Sequence, residues 1–127
     1  MMQVERIDHI VLTVENIERS CTFYAAVLGM EIIEFAGQRK ALKFGRQKIN
    51  LHQKGNEFEP KATHPLPGAI DLCLLTLETM DEITRHLDQH EIKILEGPVQ
   101  RTGATGALQS VYFRDPDGNL LELSTPC

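Results

Sequence analysis

Tryptophan is absent from the 127-residue sequence, and aromatic residues make up only 6% of it. A chain this poor in large rings is ill suited to a cup that stacks flat aromatic or cationic ligands. Positive charge is also short. Thirteen Lys and Arg face 18 Asp and Glu, a net charge of -5. That balance argues against binding a phosphate backbone or an anionic surface. The longest basic cluster, Arg39-Lys40 to Lys48, is scattered and reads as solvated. The three cysteines, Cys21, Cys73 and Cys127, form neither an even set nor a CxxC pair. They exclude a disulfide framework and fit a reducing cytosol. No apolar run approaches the length of a membrane span. The N-terminal "MMQVERIDHIVLTV" enters a strand pattern directly, unlike a secretion signal, and a cytoplasmic location is expected.

What remains is a chain with 42% hydrophobic residues, enough for one core or for two small halves sharing one. "RIDHIVLTV", residues 6–14, alternates and is β-branched, so it predicts a strand. Asn16 is placed to cap a helix that Gly29 stops. Short strands follow at Met30–Phe35, Ala41–Phe44 and Gln47–Gln53. Residues 54–68 are polar, carry three prolines and read as a linker. The order then restarts. "AIDLCLLTL" (69–77) is a strand, and Thr79 with Glu82 forms a capping box opening a helix with Met80, Ile83 and Leu87 on one side. "IKILEG", "SVYFRD" and "NLLELST" are three more strands, and 97–109 is expected to be a flexible Gly/Ala/Thr loop, with a mobile lid as one reading of it.

The pattern is βαβββ, linker, βαβββ. The expected fold is α+β, with duplicated modules (about 5–53 and 69–125) forming one concave mixed sheet with the helices outside, in a single domain over 1–127. Period-2 counting then sorts side chains by face. With Ile10, Leu12 and Val14 against the helix, His9 points inward. By the same count Asn50, His52, Asp71 and Glu122 point inward. His9 matches Asp71 in the repeat, and Asn50 matches Glu122. A glutamate inside "LLEL" would be costly unless something positive met it. Two carboxylates with one or two imidazoles in a partly apolar setting suit a divalent metal. His86 and His90, four apart on the second helix, lack a third ligand in register and read as solvated.

The motifs "IDHIVLTV", "FYAAVLGMEI", "GAIDLCLLT" and "VYFRDPDGNLLEL", in this order, resemble the vicinal oxygen chelate superfamily. That group contains glyoxalase I, extradiol dioxygenases, fosfomycin-modifying enzymes and bleomycin-resistance proteins. The resemblance covers essentially the whole chain and extends to small bacterial glyoxalase-like proteins, some associated with virulence. It implies metal ligands at His9, Asn50, Asp71 and Glu122. His9 and Glu122 match the family pattern, Asp71 stands where histidine is more usual, and Asn50 stands where Glu, Gln or His is. His52, two residues on and on the same face, is an alternative to Asn50. The implied activity is a metal-dependent lyase or isomerase acting on a small substrate with adjacent oxygens, with Glu122 as the proton-moving carboxylate. The metal would be one of Ni, Zn, Mn, Co or Fe. An extradiol-type dioxygenase and a non-catalytic small-molecule-binding protein are the alternatives. A homodimer is expected, with no nucleic acid or membrane partner.

Overall fold

A computed structural model describes all residues from Met1 to Cys127. The chain forms two compact units, Met1–Pro67 and Gly68–Cys127. Each is a four-stranded mixed sheet with one helix, an α+β arrangement.

The first unit runs β1 (His9–Val14), α1 (Ile17–Leu28), β2 (Glu31–Phe35), β3 (Arg39–Phe44) and β4 (Gln47–Gln53). Its sheet order is β1-β4-β3-β2, with β1 parallel to β4 and the other pairs antiparallel. The helix starts where the sequence places it: the Asn16 side chain accepts from Arg19 N–H at 2.9 Å. It stops at Gly29, whose φ of 66° only glycine adopts without strain. Leu12, Val14, Ile49, Leu51 and Leu42 are buried together with Tyr24 and Val27 of the helix. The alternating pattern of β1 therefore has a physical cause, since one face of the strand must leave water.

The second unit repeats the plan: β5 (Asp71–Leu75), α2 (Met80–Gln89), β6 (Glu96–Gly103), β7 (Gly106–Arg114) and β8 (Leu120–Pro126), in the order β5-β8-β7-β6. The capping box is complete. Thr79 Oγ1 accepts from Glu82 N–H, and Glu82 Oε1 accepts from Thr79 N–H. Met80, Ile83 and Leu87 are buried. No helix of the structure is long and apolar enough to cross a membrane.

Residues 97–109 are not a flexible loop. They belong to β6 and β7, which pair antiparallel up to Gly103 and Gly106. The glycines that suggested flexibility close a tight hairpin instead: Gly106 has φ 145°, and a side chain at Gly103 would strike Leu108. The lid reading falls with the loop reading. Of "IKILEG", only Glu96 and Gly97 join the strand, because the chain from Ile92 to Leu95 is irregular. A side chain at Gly97, where φ is 108°, would strike the Ser110 carbonyl.

One knot fixes the start of β8. Asp115 is buried, and its Oδ1 accepts from the backbone N–H groups of Asp117 and Asn119, both at 2.9 Å. Its Oδ2 accepts from Asn119 Nδ2 at 2.7 Å. The fully buried Asn119 in turn accepts, through Oδ1, the N–H of Ile70 at 2.9 Å. The "DPDGN" turn thus ties β7, β8 and the start of β5 together.

Candidate functional site

Strand register places the candidate residues in rows. In the first unit one row crosses the sheet as His9, Lys48, Lys43 and Glu31. The next is Val11, Asn50, Ala41 and Ile33. The third begins Thr13 and His52, and Arg39 and Phe35 continue it. Paired residues share a face, so these three rows lie opposite the face that carries Leu12, Ile49 and Leu42. In the second unit the corresponding rows are Asp71, Leu120 and Arg114; then Cys73, Glu122, Tyr112 and Glu96; then Leu75, Ser124 and Ser110. His9 and Asp71 hold the same position in their sheets, as do Asn50 and Glu122.

His9 is half-exposed, and its Nδ1 lies 2.9 Å from Asp8 Oδ2. A carboxylate accepts only, so Nδ1 carries a proton, and in the neutral ring Nε2 holds the lone pair. A carboxylate behind a metal-binding imidazole orients the ring in this way. The same contact holds the Asp8 carboxyl below its usual range. Asn50 is 5% exposed, and its Oδ1 is buried without a hydrogen-bond partner. A buried acceptor left unmade costs about 1–3 kcal/mol unless something positive meets it.

Glu122 ends a chain of hydroxyls. Its Oε2 accepts from Ser110 Oγ at 2.8 Å, and Ser110 Oγ lies 2.6 Å from Ser124 Oγ. Each serine has one proton to give. With that of Ser110 on Glu122, Ser124 donates to Ser110, and the Cys73 thiol, 3.4 Å from Ser124 Oγ, donates in its turn. Burial, helped by the Glu122 charge, pushes the Cys73 thiol pKa up, so the sulfur keeps the proton this chain requires. Both serines are fully buried. The chain fixes one carboxylate oxygen of Glu122 by its hydrogen bonds. Asp71 is exposed at the start of β5.

His52 is 3% exposed and has a different neighbour. Its Nε2 faces Arg39 Nη2 at 3.4 Å, and its ring stacks edge-on with Phe58, centroids 5.5 Å apart. Burial first, and then the Arg39 charge, lower the pKa of His52. A guanidinium at Nε2 is a poor companion for a second cation on that nitrogen. Arg39 is itself flanked by two rings, with Cζ 4.4 Å from the Phe58 centroid and 5.0 Å from that of Phe35.

The structure gathers no three His, Cys, Asp or Glu side chains around one point that could hold an ion. The donor chemistry does fit a metal residue by residue: an oriented imidazole at His9, an orphaned amide oxygen at Asn50 and an anchored carboxylate at Glu122. His86 and His90 stack on each other at 4.5 Å and have no third ligand.

The sequence reading missed Arg39, Phe58 and the serine chain. Arg39 shares the parity of Ala41 and Lys43, the one available signal. Starting the strand at Ala41 left it outside. Phe58 lies in the irregular linker, where no periodicity points to a face. Ser110 and Ser124 read as ordinary polar strand residues.

The model of the Glyoxalase/Bleomycin resistance protein/Dioxygenase superfamily matches residues 6–123. Virulence protein STM3117 of Salmonella typhimurium is 54% identical over 97% of this chain and 85% of its own length. Its crystal structure superposes with a TM-score of 0.98, covering 99% of this chain and all of that one. Two more distant structures share the fold. Lactoylglutathione lyase from Agrobacterium tumefaciens is 23% identical with a TM-score of 0.74, over 97% of this chain and 95% of that one. A variant of the fosfomycin resistance protein FosX from Listeria monocytogenes, complexed with Mn(II) and a dihydroxypropylphosphonic acid, is 20% identical with a TM-score of 0.67, over 98% and 93%. The chain belongs to the Glyoxalase/Bleomycin resistance protein/Dioxygenase superfamily.

Proposed function

We propose that the protein is a metal-dependent lyase or isomerase of the glyoxalase kind, acting on a small substrate with two adjacent oxygens. The observation that carries this reading is Glu122, a carboxylate inside an apolar strand, held by one oxygen at the end of a hydroxyl chain. Such an anchored carboxylate is suited to taking a proton from one carbon and returning it to the next. The proposed metal donors are His9, Asn50, Asp71 and Glu122, and the ion is one of Ni, Zn, Mn, Co or Fe. When bound, it would supply Lewis-acid polarisation of the two substrate oxygens. His52 is left out of the set because Arg39 stands at its Nε2.

The chain's own residues do the rest. Asp8 holds the His9 ring in one tautomer. Ser110 donates to Glu122 and keeps the carboxylate from rotating. Converting a 2-oxoaldehyde–thiol adduct into a 2-hydroxyacid thioester moves one proton from C1 to C2 and one from the C1 hydroxyl to the C2 oxygen, with no net oxidation and no added reagent. Relatives support the class at different depths: the fold is shared with a lactoylglutathione lyase, and a fosfomycin resistance neighbour is complexed with Mn(II). Extradiol oxygenation prefers two histidines and one carboxylate. Here Asp71 occupies the position matching His9, which favours the lyase reading. The homodimer, the single-domain organisation and the cytoplasmic location belong to this proposal. Exposed Leu75, Leu77 and Val11 give apolar surface for self-association.

The test is an activity screen. The protein, loaded in turn with each of the five metals, is mixed with methylglyoxal and a thiol, and thioester formation is followed together with dissolved oxygen. Turnover without oxygen uptake is expected. Catechol ring opening with oxygen uptake, and no thioester with any metal–thiol pair, would overturn the reading.

A further inference from the structure

The second helix carries a pair of side chains that the proposed chemistry does not use. His86 and His90 stand four residues apart at the end of α2, so they share one helix face, one turn apart. On sequence alone the pair reads as solvated. In the structure the two rings meet, with centroids 4.5 Å apart and planes tilted by 55°. Two imidazoles at this spacing are the helical unit with which H-x-x-x-H enzymes grip one zinc ion. Neutral imidazole suits copper, nickel and zinc and is a poor ligand for magnesium or calcium. The pair is also accessible. His90 is exposed and His86 half-exposed, while the helix buries Met80, Ile83 and Leu87. An ion can therefore reach the rings without disturbing the core.

The surroundings favour positive charge. His86 lies in the last turn of α2 and His90 is its C-cap, where unpaired carbonyls form the negative end of the helix dipole. Glu82 stands one turn earlier on the same face. It hydrogen-bonds to Glu78, and that bond and the Glu82 charge push the Glu78 carboxyl up, while the charge of nearby His86 opposes the rise. Steps of four thus run Glu78, Glu82, His86, His90, with no Lys or Arg among them. No third His, Cys, Asp or Glu gathers with the two rings. Zinc sites that retain their metal use three or four protein ligands. With two, water or another small ligand fills the remaining positions, and the ion exchanges with free metal. Desalting removes it, so this pair is read by titration and not by the metal content of desalted protein.

We propose that His86 and His90 form a second metal site, a two-imidazole chelate for copper, nickel or zinc on the exposed face of α2. It lies within one helix, shares no residue with His9, Asn50, Asp71 and Glu122, and needs no turnover. It therefore stands or falls apart from the lyase reading.

The experiment is a nuclear magnetic resonance titration of chelator-treated protein with zinc chloride, following the imidazole nitrogens. It is run at about pH 7.5, above the usual imidazole pKa of about 6.5, so that both rings are neutral. The His86 and His90 resonances should move together and saturate at one midpoint, and magnesium should move neither. His90→Gln removes one donor from the surface, and the His86 response should then need roughly tenfold more zinc or beyond. Adding Asp88→His to that variant restores the number of histidines two residues apart, on different faces, and should not restore the affinity. His9→Ala should leave both responses unchanged. Five results would each overturn the proposal: no response of either ring to zinc, separate midpoints for the two rings, an unchanged His86 midpoint in His90→Gln, full affinity with Asp88→His, or loss of both responses in His9→Ala.

Discussion

Glu122→Gln should lower kcat for thioester formation by about 10²- to 10⁴-fold, the range that a positioned acid–base group supplies. Gln is chosen because it preserves the structure around it. Its amide oxygen still accepts from Ser110 Oγ, so the hydroxyl chain through Ser124 to Cys73 keeps its direction. The side chain keeps its length and its place opposite Cys73 and Tyr112. What is lost is the ability to take up a proton at that point. KM should therefore change much less than kcat. Metal content measured on the same preparation separates loss of the base from loss of the ion. A kcat within about threefold of wild type would remove Glu122 from the proton-transfer role.

Asn119→Ala should destabilise the fold by about 3 kcal/mol and lower Tm by roughly 10 °C. The size follows from what is stranded. Asn119 is fully buried and makes two side-chain bonds, one accepting from Ile70 N–H and one donating to Asp115 Oδ2. Its removal leaves a backbone donor and a buried carboxylate oxygen short of a partner, and each such loss costs about 1–3 kcal/mol. Asn119→Asp is the sharper control. It puts a second carboxylate against Asp115, and like charges raise the folded-state pKa. A raised folded pKa favours the protonated form, so the deficit relative to wild type should shrink as pH falls into the carboxylate range. Urea melts of the three proteins at neutral and acid pH check both statements. The knot also matters for function: it sets the register of β8, and Glu122 lies three residues beyond Asn119 on that strand.

The fold was largely legible because its signals are local. Asn16, Gly29 and the Thr79–Glu82 box act within one helical turn, and each sits where the sequence puts it. Alternation in "HIVLTV", "INLHQ" and "LLELS" is equally local, and it put His9, Asn50, His52 and Glu122 on the sheet face opposite the buried leucines. The hairpin at 97–109 was not legible in this way. Its strand character comes from pairing across Gly103 and Gly106, and glycine-rich strands carry little propensity of their own. The site was legible only as far as parity reaches. Parity cannot say that Arg39 stands at His52 or that Phe58 closes over both, since that arrangement depends on a linker without period. Nor can it show which oxygen of Glu122 is occupied, since two serines on two strands make that choice.

The most direct test of the account is elemental analysis of the purified protein beside His9→Ala and Glu122→Ala. The expected result is about one equivalent of a divalent metal in the wild type after soaking, reduced strongly in both variants, because each removes a proposed donor. A wild type that takes up none of nickel, zinc, manganese, cobalt or ferrous iron would contradict it, as would a stoichiometry unchanged by either substitution.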